Sequence, residues 1–291
     1  MLLVAYNVYE YHKVKSLIDR LKLEKIQFKE LIIGRNLSIY DISPNDKDNL
    51  ILNVIDQIDS NNQLKDITNV LICGDSIDIL GVTMAAFNRS IPVIHLGAGY
   101  RTYDPTFPNE IYRQAISRFV SINLCSSIHN AKNLTSEGIR STKYIVGNPT
   151  LDLFGTLTHT TDGPVLILLV DDIWAEPLRT IKFEFTNIKF EYSINNFPIE
   201  TIKRANYIIS PKTEIQEIAC YLHKPMIILG KVTDRPESLW YNVTRCANPD
   251  YLPTAFKKCL EKSLQPDYEC PYGSGDSTNK IIEILKKEIK C

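Results

Sequence analysis

Asp75, His95, Glu110 and Arg113 are the residues of this chain whose types and spacing could do chemistry. Asp75 follows Val70 to Cys73, an apolar, β-branched run of the kind buried on both faces of a parallel sheet, across the turn Gly74-Asp75-Ser76. His95 lies in a second such run, Ile91 to Leu96, which opens into Gly97, Gly99, Arg101, Asp104, Pro108, Glu110 and Arg113. A stretch with so many charges and glycines cannot be core. Both runs therefore deliver polar groups to the carboxyl edge of a sheet, where open α/β sheets bind ligands. Carboxylates and imidazoles there can move protons, and a guanidinium can hold an anion. A second set lies far along the chain. Thr213 stands at or just before a helix N-terminus, where free backbone N–H groups accept anions, with Lys212 and Arg235 to add positive charge. Glu214 opposes that charge, and Ile218 cannot hydrogen-bond a ribose. Each residue also has a plainer reading: Asp75 as an N-cap, Glu110 with Arg113 as a surface salt bridge within one helical turn, Lys13 on a solvated helix face.

The elements that must position these groups alternate between strand and helix, the pattern of a parallel sheet with crossover helices. Leu2 to Tyr6 reads as a strand. Tyr11 to Leu23 places Val14, Leu17, Ile18 and Leu21 on one helical face. Phe28 to Ile33 is the next strand and Asn49 to Gln63 an amphipathic segment. After Val70 to Cys73 comes the hydrophobic helix Ile77 to Phe87, and later a strand Ser121 to Ser126. A helix over Ile128 to Glu137 is closed by Gly138, and a strand Tyr144 to Val146 leads to Gly147 to Asp152. The first domain is thus predicted over 1–155, with a linker at Thr156 to Gly163. A second α/β series over 164–275 has strands at 164–170, Asn187 to Tyr192, Tyr207 to Ser210 and Pro225 to Leu229. Its helices fall at Ile199 to Ala205 and Thr213 to Leu222. A helix over 276–291 closes the chain and is expected to return to the first domain.

Composition narrows the function classes. Thirty-three basic and 34 acidic residues nearly cancel, so no nucleic-acid footprint is expected. The opening MLLVAYNVYEYHK has too short an apolar run for a signal peptide or membrane span, and a cytoplasmic protein without membrane contact is expected. Seven cysteines without a C-x-x-C pair argue against disulfides or a zinc site; they read as small buried hydrophobes.

The order G-D-S at Gly74, I-P-V at Ile91, H-x-x-A-G-x-R at His95, P-x-E-x-x-R at Pro108 and GNPTLD at Gly147 resembles the non-hydrolysing UDP-N-acetylglucosamine 2-epimerase family. So do TDRPE at Thr233 and PYGSG at Pro271. The resemblance implies two Rossmann-like lobes facing a cleft, a glycosyltransferase-B-like α/β fold, with the second lobe shortened. Material is expected to be missing between Asp171 and Asn206, where family members carry a helix and a catalytic loop. The resemblance further implies epimerisation at C2 of a UDP-sugar by elimination and re-addition of UDP, with no cofactor and no metal, in a homodimer. Asp75 and Glu110 take catalytic places by this likeness; Lys13, His95, Arg113, Lys212, Thr213, Glu217 and Arg235 take substrate-binding ones. The short loop from Arg101 to Arg113 is similar to epimerases acting on UDP-2-acetamido-2,6-dideoxy-L-sugars.

Departures from the family pattern fall on chemical positions. Val8 stands where the family has an arginine, Gly97 for the glutamate of H-x-E-A-G, and Asn109 for the first glutamate of P-E-E-x-x-R. Asp171-Asp172 replaces a histidine-arginine pair, Lys212-Thr213-Glu214 an S-G-G turn, and Ile218 a ribose-holding glutamate, leaving Glu217. Impaired epimerase activity is therefore expected. An inactive homologue with a binding or structural role and a UDP-sugar glycosyltransferase of the same fold are the alternatives.

Overall fold

The computed structural model describes residues 1–7, 10–33, 50–155, 163–168, 170–193, 198–262 and 268–289. Val8 and nearly all of the expected linker lie outside them. The chain divides into two compact units, one of Met1–Asp152 with Asp276–Cys291 and one of Leu153–Gly275.

The first unit carries a sheet of six parallel strands: β1 (Leu2–Asn7), β2 (Phe28–Ile33), β3 (Asn69–Cys73), β4 (Val93–Leu96), β5 (Ile122–Cys125) and β6 (Thr142–Ile145). Their order is β2-β1-β3-β4-β5-β6. Helices α1 (Tyr11–Leu23), α2 (Leu50–Ser60), α3 (Ile77–Asn88), α4 (Pro108–Phe119) and α5 (Ile128–Ser136) link them, and α10 (Ser277–Glu288) ends the chain. Period-two alternation splits the strands between two cores. Leu3, Ala5, Val70, Ile72 and Val93 pack on one face with Ile79, Val82 and Ala85 of α3 and Ile116 of α4. Leu2, Val4, Tyr6, Leu71, Ile94 and Leu96 pack on the other with Val14, Leu17 and Leu21 of α1 and Ile281, Ile282 and Leu285 of α10. Each fully buried aliphatic of this kind contributes about 1.5–3 kcal/mol. Asp152 fixes the returning helix. Its carboxylate accepts from the backbone N–H of Ser277 at 3.1 Å and of Thr278 at 2.7 Å, groups that a helix cannot satisfy internally.

The second unit has five parallel strands, β7 (Val165–Leu168), β8 (Phe190–Ser193), β9 (Tyr207–Ser210), β10 (Met226–Leu229) and β11 (Val243–Cys246), in the order β11-β10-β9-β7-β8. Helices α6 (Ala175–Glu184), α7 (Ile199–Arg204), α8 (Glu214–Tyr221) and α9 (Leu252–Leu260) flank them. Phe256 of α9 anchors the core on one face, edge-on to Phe185 at 5.2 Å. The described residues between Asp171 and Asn206 hold α6, β8 and α7. Leu178 and Ile181, spaced three apart, bury one stripe of α6. Among the described residues no helix is long and apolar enough to cross a membrane.

Candidate active site

Strand order marks where each unit can hold a ligand. In the first sheet the chain goes from β1 to β2 on one side and then to β3 on the other, so the crevice at a change of direction lies beyond the carboxyl ends of β1 and β3. Glu10 and Lys13 follow β1, and Asp75 follows β3. Gly74 sets the turn at φ +113°, with its α-carbon facing the Glu10 side chain. Ser76, not Asp75, is the N-cap of α3, so the capping reading of Asp75 is corrected. Its carboxylate instead takes Arg113 Nη2 on Oδ2 at 2.5 Å and Asn109 Nδ2 on Oδ1 at 3.2 Å.

Arg113 and Glu110 are buried, with side chains 10% and 1% exposed, so their 3.7 Å contact is not a surface salt bridge. Helix α4 brings both inward; Pro108 at its start supplies the fixed φ that suits a first helical turn. Glu110 is more a girder than a free acid. Its Oε2 accepts from Thr102 N at 2.8 Å and Thr102 Oγ1 at 3.0 Å, and its Oε1 from Gln114 Nε2 at 2.8 Å. Arg101 lies beside it but is held by both oxygens of Glu137, at 2.7 and 2.9 Å. Lys13 pairs with Glu10 at 2.6 Å, and its side chain is only 17% exposed, against the solvated-face reading.

His95 shares the strand parity of Val93, on the α3–α4 side of the sheet, and is 2% exposed. Its Nε2 lies 3.1 Å from the Gly74 carbonyl, a contact that makes Nε2 the protonated nitrogen, while Nδ1 is buried without a hydrogen-bond partner. Burial pushes its pKa down to about 3, and Arg101, Arg113 and Lys13 push the same way. At neutral pH His95 is an uncharged ring that holds the backbone just before Asp75. Gly97, two residues on, has φ +78°, a left-handed conformation that a glutamate would adopt only with strain.

The second sheet changes direction between β7 and β9. A cavity of about 610 Å³ opens there, lined by Asp171, Asp172, Arg179, Tyr192, Ser193 and Lys212 among others. Two carboxylates against two cations leave it without net charge. Thr213 is the N-cap of α8, yet its hydroxyl accepts from Arg235 Nη1 at 2.9 Å. Arg235 is 2% exposed and spends its charge on Glu217 at 2.7 Å and Asp234 at 2.6 Å. It is thus a buried strut, not the open cation that the sequence suggested. Glu217 is fully buried in the same network. Burial, aided by Glu237 and Glu217, raises the pKa of the Tyr272 phenol, which stays protonated.

The structure therefore brings Lys13, Asp75, His95, Glu110 and Arg113 to one sheet edge in the first unit. Thr213, Glu217 and Arg235 share one network in the second, with Lys212 in the adjacent cavity. Sequence reasoning missed Asn109 as a partner of Asp75, Glu137 as the partner of Arg101, and the clamp of Thr102 on Glu110. The spacing of Asn109 and Arg113, i and i+4 on a helix, was the signal for the first. Nothing local signals the 36-residue separation of Arg101 and Glu137.

A family model described as UDP-N-acetylglucosamine 2-epimerase matches residues 22–169. The UDP-N-acetylglucosamine 2-epimerase of Methanococcus maripaludis is 26% identical over 332 residues, covering 92% of this chain and 88% of that one. The crystal structure of the Neisseria meningitidis UDP-GlcNAc 2-epimerase bound to UDP-GlcNAc superposes with a TM-score of 0.83 at 20% identity, over 98% of this chain and 99% of that one. A calicheamicin glycosyltransferase superposes with a TM-score of 0.55 at 11% identity, covering 99% of each chain. At such identities the superpositions establish the fold, two parallel α/β sheets of glycosyltransferase-B-like type.

Proposed function

Because the chain belongs to the UDP-N-acetylglucosamine 2-epimerase family, we propose that it binds a UDP-N-acetylhexosamine and carries out 2-epimerisation, by elimination and re-addition of UDP, in impaired form. One observation carries the reading: among the described carboxylates of this cluster Asp75 is the most open, 29% exposed against 19% for Glu10, 16% for Glu137 and 1% for Glu110, while Glu110 and Arg101 are consumed by internal contacts. Asp75 supplies a proton acceptor for C2. Inversion also needs a proton delivered to the opposite face, and the candidates for that task are a glycine at 97, an amide at 109 and a structural carboxylate at 110. Each missing acid–base group costs roughly 100-fold or more in rate. The short Arg101–Arg113 loop supports the 2,6-dideoxy-L-sugar branch as the substrate class.

The test is proton NMR of UDP-N-acetylglucosamine with the protein in deuterated water. Slow loss of the C2 proton, abolished in Asp75→Asn, is expected. Exchange at the rate of an ordinary enzyme would refute impairment, and no dependence on Asp75 would refute its role. A second reading, a binding protein without turnover, is favoured by Gly97 and Asn109 at positions where acid–base groups are expected; it requires UDP binding with no exchange. By lineage the protein works as a cytoplasmic homodimer. The exposed Phe87, Phe107 and Ile111 of the α3–α4 side support such pairing, and light scattering reads it directly.

A further inference from the structure

We propose that Asn109 is a positioning residue that keeps Asp75 ionised and aimed, making this carboxylate a proton acceptor and withholding from it the role of proton donor. The inference rests on the reading of Asp75 as the base of the site. Asn109 and Arg113 stand one helical turn apart on α4, so their side chains project from the same face and pinch one carboxylate between them. Arg113 Nη2 takes Oδ2 at 2.5 Å, and Asn109 Nδ2 takes Oδ1 at 3.2 Å. With a donor on each oxygen, the ionised form is favoured over the acid, which would have to surrender one of those contacts.

The charges facing Asp75 explain why an amide fits at 109. On α4 and the loop before it, Arg113 and Arg101 face Glu110, and Arg101 is tied to Glu137 of the residue following α5. With Asp75 included, two guanidiniums serve three carboxylates, and Arg113 alone is shared between Asp75 and Glu110. At the start of α1, Lys13 and Glu10 neutralise each other. On β4, His95 is uncharged at neutral pH. A carboxylate at 109 would be a further negative charge within reach of Asp75, and the mutual repulsion would drive one of the two to hold a proton. An amide gives the hydrogen bond without the charge.

Carbon-13 NMR of the side-chain carboxylates tests this without any need for turnover, with the Asp75 resonance identified by its loss in Asp75→Asn. Asn109 is exposed, so Asn109→Asp, nearly isosteric, and Asn109→Ala leave the fold intact, which circular dichroism verifies. The Asp75 midpoint is expected to rise by about one pH unit in Asn109→Asp and by less in Asn109→Ala. The pH profile of C2 exchange should move with it. Coincident midpoints in all three proteins, or a fall in Asn109→Asp, overturn the proposal. Absence of exchange in every variant would sink the epimerase reading while the titration still decides the role of Asn109.

Discussion

The groups that bear on chemistry are mostly committed to one another. Arg101, Arg235, Glu110 and Glu217 are each at most 2% exposed and hydrogen-bonded to partners in the chain, which makes them scaffolding for more exposed side chains, Asp75 and Lys212 among them. His95 shows how such burial becomes measurable. Its pKa falls from an ordinary 6.5 to about 3 because the desolvated imidazolium sits among Arg101, Arg113 and Lys13. A depressed histidine binds fewer protons folded than unfolded, so its stabilising contribution is complete above pH 6.5 and is lost as the pH falls toward 3. Within that window the slope approaches about 1.4 kcal/mol per pH unit. His95→Gln keeps a donor in reach of the Gly74 carbonyl but does not titrate. Urea unfolding between pH 7 and 4 should therefore show a shallower loss for the variant, and equal slopes would show that His95 does not govern acid stability.

Elements with a clean apolar period were legible from sequence, and those defined by tertiary contact were not. The bounds of α1 and β2, Tyr11–Leu23 and Phe28–Ile33, are those expected from the sequence, and Val14, Leu17, Ile18 and Leu21 fall on one face of α1. Helix α4 escaped notice because its start is a proline in a polar loop and its buried face includes Glu110, Arg113 and Ser117 alongside Ile116, charges that read as surface. Helices α6 and α9 were missed for a related reason, each carrying a proline and two basic residues in its own length. The same limit applies to the site. Which residues follow strand ends could be read; which of them are neutralised by partners 18 to 38 residues away, as with Arg235 and Glu217 or Arg113 and Asp75, could not. Helix α10 offers a test of a contact between distant segments. Asp152 satisfies its first two N–H groups, and Asp152→Ala should cost about 1 kcal/mol, at the middle of the range for lost caps. A melting temperature unchanged from the parent would remove Asp152 from that role.

At the level of the whole chain, its formal charge of −1 and the balanced cavity beside β7 and β9 make it a poor trap for a diphosphate. UDP should bind weakly, with affinity falling as salt rises, because charged contacts to Lys212 would carry it. Calorimetric titration at two salt concentrations checks this, and tight binding insensitive to salt would contradict it. The covering of the first sheet by α10 has a further consequence for biosynthesis. Leu2 and Val4 leave the ribosome before the second unit, while Ile281 and Leu285, which share their core, leave it after that entire unit. The second unit is continuous and free to fold as it emerges, whereas the first waits with part of an apolar face open to water. Premature termination anywhere before Ser277 would thus damage the first unit even after its whole sheet had been made, and a chaperone that shields the nascent chain would be needed longer by that unit than by the second.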